Sequence, residues 1–224
     1  MFDNRLEPSD IKDKIIDAAL CHIPFDGWTQ KSLKAGAKDI GIDINLIDSL
    51  FSNNSIDLLQ YHSNLSDRRM KHAINELNLE EMKIRERIAA SIRIRLGALD
   101  LHKEAIKSGV TLLSKPSNTL SSLNMLYETV DGIWFSIGDS STDFNFYTKR
   151  FLLSNVYIST LLYWLNDKSE GSCETWNFLE RRINEVLKIQ KLKSEVVSKT
   201  SAASDLMTRI REGVSNQPWS RKTY

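Results

Sequence analysis

Residues 41–59, GIDINLIDSLFSNNSIDLL, decide the fold. Gly41 ends the helix before it, since a helix terminus favours a residue free to take positive φ. Asp43 then precedes a short apolar run from Ile44 to Leu50. Asn53 and Asn54 stand where a further helix needs side-chain acceptors for its first N–H groups, and that helix continues through Leu58, Leu59 and Tyr61. Working backwards, Thr29 can cap a helix running through Ile40. Before it, Ile11 to His22 carries Ile15, Ile16, Ala19 and Leu20 at helical spacing, and the turn IPFDG follows. A helix, a turn with glycine and a second short helix is the arrangement of a helix-turn-helix unit.

Beyond Leu65 the helices lengthen. Only four prolines and nine glycines interrupt 224 residues, and apolar side chains recur at spacings of three and four, so the chain is expected to be all-α. Glu80 to Lys107 reads as one helix with Ile84, Ile88, Ile92 and Leu96 on its apolar side and Arg85, Arg87, Arg93 and Arg95 on a solvated face. The loop SKPSN separates it from a helix whose apolar side holds Leu123, Leu126, Val130, Ile133 and Trp134. The next, from Thr142 to about Asn166, is apolar around most of its circumference, which requires neighbours on all sides or a cavity to line. It falls short of the roughly 20 apolar residues that span a bilayer. Ser172 can cap a last bundle helix with Trp176, Leu179, Ile183, Val186 and Leu187 facing inward. From Ser194 the chain turns polar, yet Val196, Thr200, Ala203, Met207, Ile210 and Val214 keep an amphipathic spacing, and Trp219 and Tyr224 lie beside Arg221 and Lys222. That pattern suits either a terminal helix folded back onto the bundle or a helix lying on a membrane surface, and the tail with Trp219 and Tyr224 favours the membrane. Three parts follow: 1–64 a helix-turn-helix-like N-terminal domain, 65–193 a larger ligand-binding helical bundle, and 194–224 an amphipathic C-terminal helix.

Thirty basic against 29 acidic residues leave no global field to attract nucleic acid. The would-be recognition helix, INLIDSLF, has no Lys or Arg, and Asp43 and Asp48 would face a polyanion. Cys21 and Cys173, far apart and without His or Cys at metal spacing, read as two buried thiols in a reduced compartment. The first residues resemble neither a signal nor a transit peptide, which leads to the expectation of a bacterial cytosolic protein. A phosphate loop, a Glu-x-x-His pair and a nucleophile elbow are all missing, so catalysis, metal and cofactor are not expected. His22, His62, His72 and His102 read as core or surface residues, and Asp131, Asp139 and Asp143 as caps.

Residues 138–150, GDSSTDFNFYTKR, combine a polar helix cap, aromatic residues and a basic pair. Ser141 or Thr142 can cap the helix, and Asp143 complements its positive end. Phe144, Phe146 and Tyr147 cannot all face the core, so at least one aromatic lies near the surface as a candidate partner anchor.

The N-terminal part resembles the TetR-type fold, with GIDINLIDSLFSNNSIDLL in the place of its turn, recognition helix and fourth-helix start. Asp48 stands where those regulators commonly have a phosphate-contacting tyrosine and Asn54 where they have a lysine. From Ile11 to Val186, through PFDGWTQKSLKAGAKDIGI, LYETVDGIWFSIGDSSTDFNFYTKR and TWNFLERRINEV, the chain is similar to the ubiquinone (coenzyme Q) biosynthesis accessory lipid-binding proteins, a TetR-fold family. The resemblance implies a non-catalytic protein that binds isoprenoid or quinone lipid and sits peripherally on a bacterial inner membrane. It also implies a partner, the di-iron demethoxyubiquinone hydroxylase.

By that resemblance the partner patch falls on Ile133, Trp134, Asp143, Phe146 and Tyr147; Phe146 stands where some relatives have tryptophan, and Arg150 matches a family arginine. The lipid cavity is expected to draw on Phe151, Leu152, Val156, Tyr157, Leu161 and Trp164. Membrane contact falls on Val196, Met207, Ile210, Val214 and Trp219. No cofactor and no nucleic acid partner are implied, and the sequence allows a homodimer. The alternative is a ligand-responsive transcription regulator of the TetR class.

Overall fold

The computed structural model describes residues 7–139 and 144–188. The described residues hold helices and no strand. They divide into two units, residues 1–180 and 181–224, so the expected boundary at residue 64 falls within a continuous helix of the first unit. The second unit is described through residue 188, where it is helical and Arg182 pairs with Glu185 at 2.6 Å. Val196, Met207, Ile210, Val214 and Trp219 lie outside the described residues.

The first unit begins with α1 (Pro8–Ala19), α2 (Ile23–Asp26) and α3 (Gln30–Asp39). Gly41, at φ +69°, turns the chain out of α3, and the Asp43 carboxylate accepts the Asn45 N–H at 2.9 Å. A 3-10 turn at Ile44–Leu46 then leads into α4 (Ile47–Leu50). In α5 (Ser55–Asn75) the Asn54 side chain accepts the Ile56 N–H, the cap expected from the sequence. Ile15, Ile16, Leu33, Ala37 and Ile47 form the buried centre of this part, and Arg68 and Arg69 of α5 grip Asp13 and Asp17 of α1. Thr29 stands at the N-cap position of α3 as expected, but its hydroxyl donates to the Asp26 carbonyl and makes no side-chain cap bond to the helix.

The single helix expected over Glu80–Lys107 is two, α6 (Ile84–Gly97) and α7 (Lys103–Leu113). The break is held by tertiary contacts that local periodicity does not encode. Asp100 accepts from Trp164 Nε1 at 3.1 Å and from Ser172 Oγ at 2.7 Å, and it pairs with Lys103 at 3.1 Å. Ser172 is thus occupied with Asp100, and Asp167 takes over the start of the last helix by accepting the Thr175 N–H. That helix is described over 173–188. Both cysteines are exposed, a correction to the buried thiols expected from the sequence. Cys21 lies in the turn after α1, and Cys173 opens the last helix on its outer side.

Candidate functional site

Between α8 (Thr119–Ser136) and α9 (Phe144–Trp164) on one side and α5, α6 and α7 on the other lies a cavity of about 320 Å³. That is at the low end for small-molecule pockets. Its walls are largely apolar: Ile106, Val110 and Leu113 from α7, Met125 and Leu126 from α8, and Ile158, Leu161 and Leu162 from α9. Gly109 keeps the α7 wall thin, because a Cβ there would lie 2.8 Å from Leu59 Cδ1 and 3.2 Å from Trp28 Nε1. Trp28 in turn donates to the Ala105 carbonyl, tying the N-terminal core to the cavity wall.

One end of the cavity is polar. Arg95, only 7% exposed, donates from Nε to Asp67 at 2.6 Å and from Nη1 to the Tyr157 hydroxyl at 2.6 Å. Its Nη2 reaches Ser63 Oγ at 3.0 Å and Thr129 Oγ1 at 3.2 Å, and Thr129 donates to the second oxygen of Asp67. One guanidinium therefore joins α5, α6, α8 and α9. Burial opposes the Arg95 charge, but Tyr157 and Asp67 outweigh it and its pKa rises. Burial foremost, with the Asp67 charge and against Arg95, pushes the Tyr157 phenol above its ordinary value, so it keeps its proton. The sequence reading placed Arg95 on a solvated face. The structure corrects this: Arg95 is seven residues after Ile88, two helical turns, and so shares the buried side of α6.

His62 completes this end. It is 4% exposed, stacks obliquely on Trp28 with ring centroids 5.2 Å apart, and forms no hydrogen bond through its ring among the described residues. Burial first, then the positive charges of Arg95, Arg69 and His102, hold its pKa down to about 3. The unfolded chain takes up this proton below about pH 6.5 whereas the folded chain refuses it, so stability is expected to fall as pH drops from about 6.5 towards 3. His62→Phe should remove about 2 kcal/mol of that loss at pH 5, seen as a smaller shift of the urea midpoint between pH 7 and pH 5 than in the parent protein.

Of the six α9 residues proposed from the sequence to meet lipid, Tyr157 and Leu161 line the cavity. Val156 and Trp164 are buried elsewhere in the packing, Leu152 is half-buried, and Phe151 is 69% exposed. Of the two alternatives its apolar circumference allowed, α9 takes the cavity-lining one and is not enclosed on all sides. Tyr147, Phe151, Ile158 and Leu162 form an exposed apolar stripe on α9, and α8 exposes Leu120, Leu123, Tyr127 and Phe135. Exposed apolar side chains in such number on two helices mark an interaction site more often than an ordinary wet surface.

At the start of α9 lies the second candidate site. Arg150 is buried, bonds Asp131 at 2.6 Å, lies 3.7 Å from Asp139 and stacks 3.3 Å from the Phe146 ring centroid. Lys149 pairs with Asp139 at 2.6 Å and sits over the Trp134 ring. Asp131 and Asp139 thus anchor these two cations, where the sequence suggested caps. Phe146 and Tyr147 meet edge to face, and Tyr147 is 71% exposed while Phe146 is half-buried. Ile133 and Trp134, the other two aromatic or apolar members of the patch, are buried, and Asp143 lies outside the described residues.

The chain's similarities accord with this architecture. The TetR transcriptional regulator from Nitrosomonas europaea ATCC 19718 superposes with a TM-score of 0.63 at 19% identity, covering 79% of this chain and 97% of that one, and it shows the fold alone. The mitochondrial ubiquinone biosynthesis protein COQ9 of Rattus norvegicus is 30% identical over 195 residues, which is 84% of this chain and 62% of that protein. The COQ9-B protein of Xenopus laevis is 31% identical over 199 residues, 84% of this chain and 66% of that protein. The chain thus spans less than two thirds of the length of these relatives. Residues 119–190, which carry α8, α9 and the start of the last helix, match the COQ9 family model. The chain is thus similar to COQ9 proteins at about 30% identity over 84% of its own length, and its residues 119–190 carry the COQ9 family match.

Proposed function

We propose that this protein is a non-catalytic lipid-binding accessory of ubiquinone biosynthesis that presents a polyprenyl quinone intermediate to the di-iron demethoxyubiquinone hydroxylase. The observation that carries this reading is the apolar cavity between α7, α8 and α9, in a chain whose relatives are named for ubiquinone biosynthesis. A polyprenyl chain is too insoluble to cross water to an active site, and an apolar cavity offers it an equivalent environment. At about 320 Å³ the cavity holds part of such a lipid, and the remainder must leave past the exposed Ile158 and Leu162 at its rim.

In this reading Tyr147, with the edge of Phe146, is the contact for the hydroxylase, and the amphipathic segment 194–224 holds the protein at the inner membrane of a bacterium. No described helix is long and apolar enough to cross a membrane. The apolar stripe on α8 and α9 is the face a homodimer would use. Transcription regulation shares this fold. Here, however, Asp43 is spent on a turn and Asp48 on Lys34 at 3.2 Å, which leaves the recognition segment without a cation for phosphate.

The test is organic extraction and native mass spectrometry of the protein purified from its own membranes. A bound quinone or prenyl lipid is expected, its amount falling at least fivefold in Leu161→Trp, which fills the cavity. Tyr147→Lys should keep the lipid and lose the co-purifying hydroxylase. An empty parent protein refutes the carrier role, and undiminished hydroxylase with Tyr147→Lys moves the interface elsewhere.

A further inference from the structure

We propose that the polar end of the cavity is a head-group site that binds the carbonyl oxygens of an uncharged, quinone-like ring, seated at the deep end against His62, Arg95 and Tyr157. This inference rests on the carrier reading above and adds which end of the ligand goes in first, and why.

The hydrogen-bond inventory points to acceptors on the ligand. A guanidinium has five N–H donors, and Arg95 spends four of them on Asp67, Tyr157, Ser63 and Thr129. One Nη1 proton is left. The Tyr157 hydroxyl accepts from Arg95, and its own proton has no acceptor among the described residues. His62 is buried, lines the cavity and is neutral, so it offers one N–H donor and one acceptor nitrogen, neither of them used within the described residues. Buried polar groups of this kind are ordinarily satisfied, so a cluster of spare donors on a cavity wall calls for a ligand oxygen.

The charge inventory selects which oxygen. Arg95 and Asp67 form a buried ion pair at 2.6 Å, and His62 adds no charge. The deep end is therefore neutral overall. A phosphate or carboxylate placed there would be a buried charge without a counterion, which is far costlier than a neutral carbonyl. Depth selects the orientation. His62, Arg95 and Tyr157 are buried, whereas Ile158 and Leu162, which also line the cavity, are exposed, so the ring enters first and the prenyl tail trails out along α9.

Three probes that compete with a fluorescent apolar dye on the full-length protein test this: hexyl-1,4-benzoquinone, hexylbenzene and hexyl phosphate. In a purely apolar cavity the more hydrophobic hexylbenzene binds tighter than the quinone, and with a head-group site the order reverses. The expected result is quinone tightest and phosphate weakest. Tyr157→Phe and His62→Phe should each weaken the quinone about tenfold and change hexylbenzene less than twofold. If the parent protein binds hexylbenzene tighter than the quinone, or if the variants weaken both alike, the head-group site is wrong while the lipid cavity stands. Preference for hexyl phosphate overturns the neutral-ring assignment. Displacement of the dye by none of the three defeats the cavity reading itself, and the head-group site with it.

Discussion

Arg95→Ala is expected to lower the unfolding free energy by about 3–5 kcal/mol, the range for removing one partner of a buried ion pair. The arginine is the hub through which Ser63 and Asp67 of α5, Thr129 of α8 and Tyr157 of α9 meet. Its loss leaves the buried Asp67 carboxylate with one hydroxyl donor, Thr129, in place of a guanidinium. A small domain has about 5–15 kcal/mol to lose, so urea denaturation should show a midpoint reduced by about a fifth or more. The double variant Arg95→Met with Asp67→Leu removes both charges and keeps the volume, and it should recover most of the loss. A double variant no more stable than Arg95→Ala would show that packing around the guanidinium stem, and not the ion pair, holds α5 to α6. If the head-group site is real, the rescued double variant should still fold and still bind hexylbenzene while losing its preference for the quinone.

The same residue shows where sequence reading reached its limit. The turn at Gly41, the Asn54 cap and the apolar spacing of α1 are local signals, written in residues within one or two turns of each other, and they emerged as expected, whereas on α8 Val130, Ile133 and Trp134 are buried but Leu123 is exposed. Arg95 looked like part of a charged face because Arg85, Arg87 and Arg93 surround it in sequence. Its seven-residue offset from Ile88 was the available signal, and it was outweighed by the prior that arginine is solvated. The cavity was harder to see. Its walls come from five helices, and His62, Gly109 and Arg95 meet only because α5, α6 and α7 fold together, so reading α9 alone recovered Tyr157 and Leu161 but also selected the exposed Phe151. Apolar content says that a side chain prefers cover without saying what covers it.

Gly36→Ala should cost about 2–3 kcal/mol, although alanine is the better helix former by about 1 kcal/mol. A Cβ on Gly36 would lie 2.5 Å from the Ala19 nitrogen and 2.9 Å from both the Ala18 carbonyl carbon and Ala19 Cα. These are backbone atoms of α1 and its end, so no rotamer change can make room. α1 and α3 would have to move apart, loosening Ile15, Ile16, Leu33 and Ala37, which are almost fully buried at this crossing. Gly36→Val should cost more than Gly36→Ala, since it adds two methyl groups to the same contact. Gly97 provides the control of opposite sign. It ends α6, and a Cβ at this position would meet nothing within 4 Å, so Gly97→Ala should stabilise by up to about 1 kcal/mol. Equilibrium denaturation of the two alanine variants separates the effects: opposite shifts of the midpoint establish α1 against α3 as a fixed close crossing, and two stabilising shifts would mean that the crossing yields at little cost.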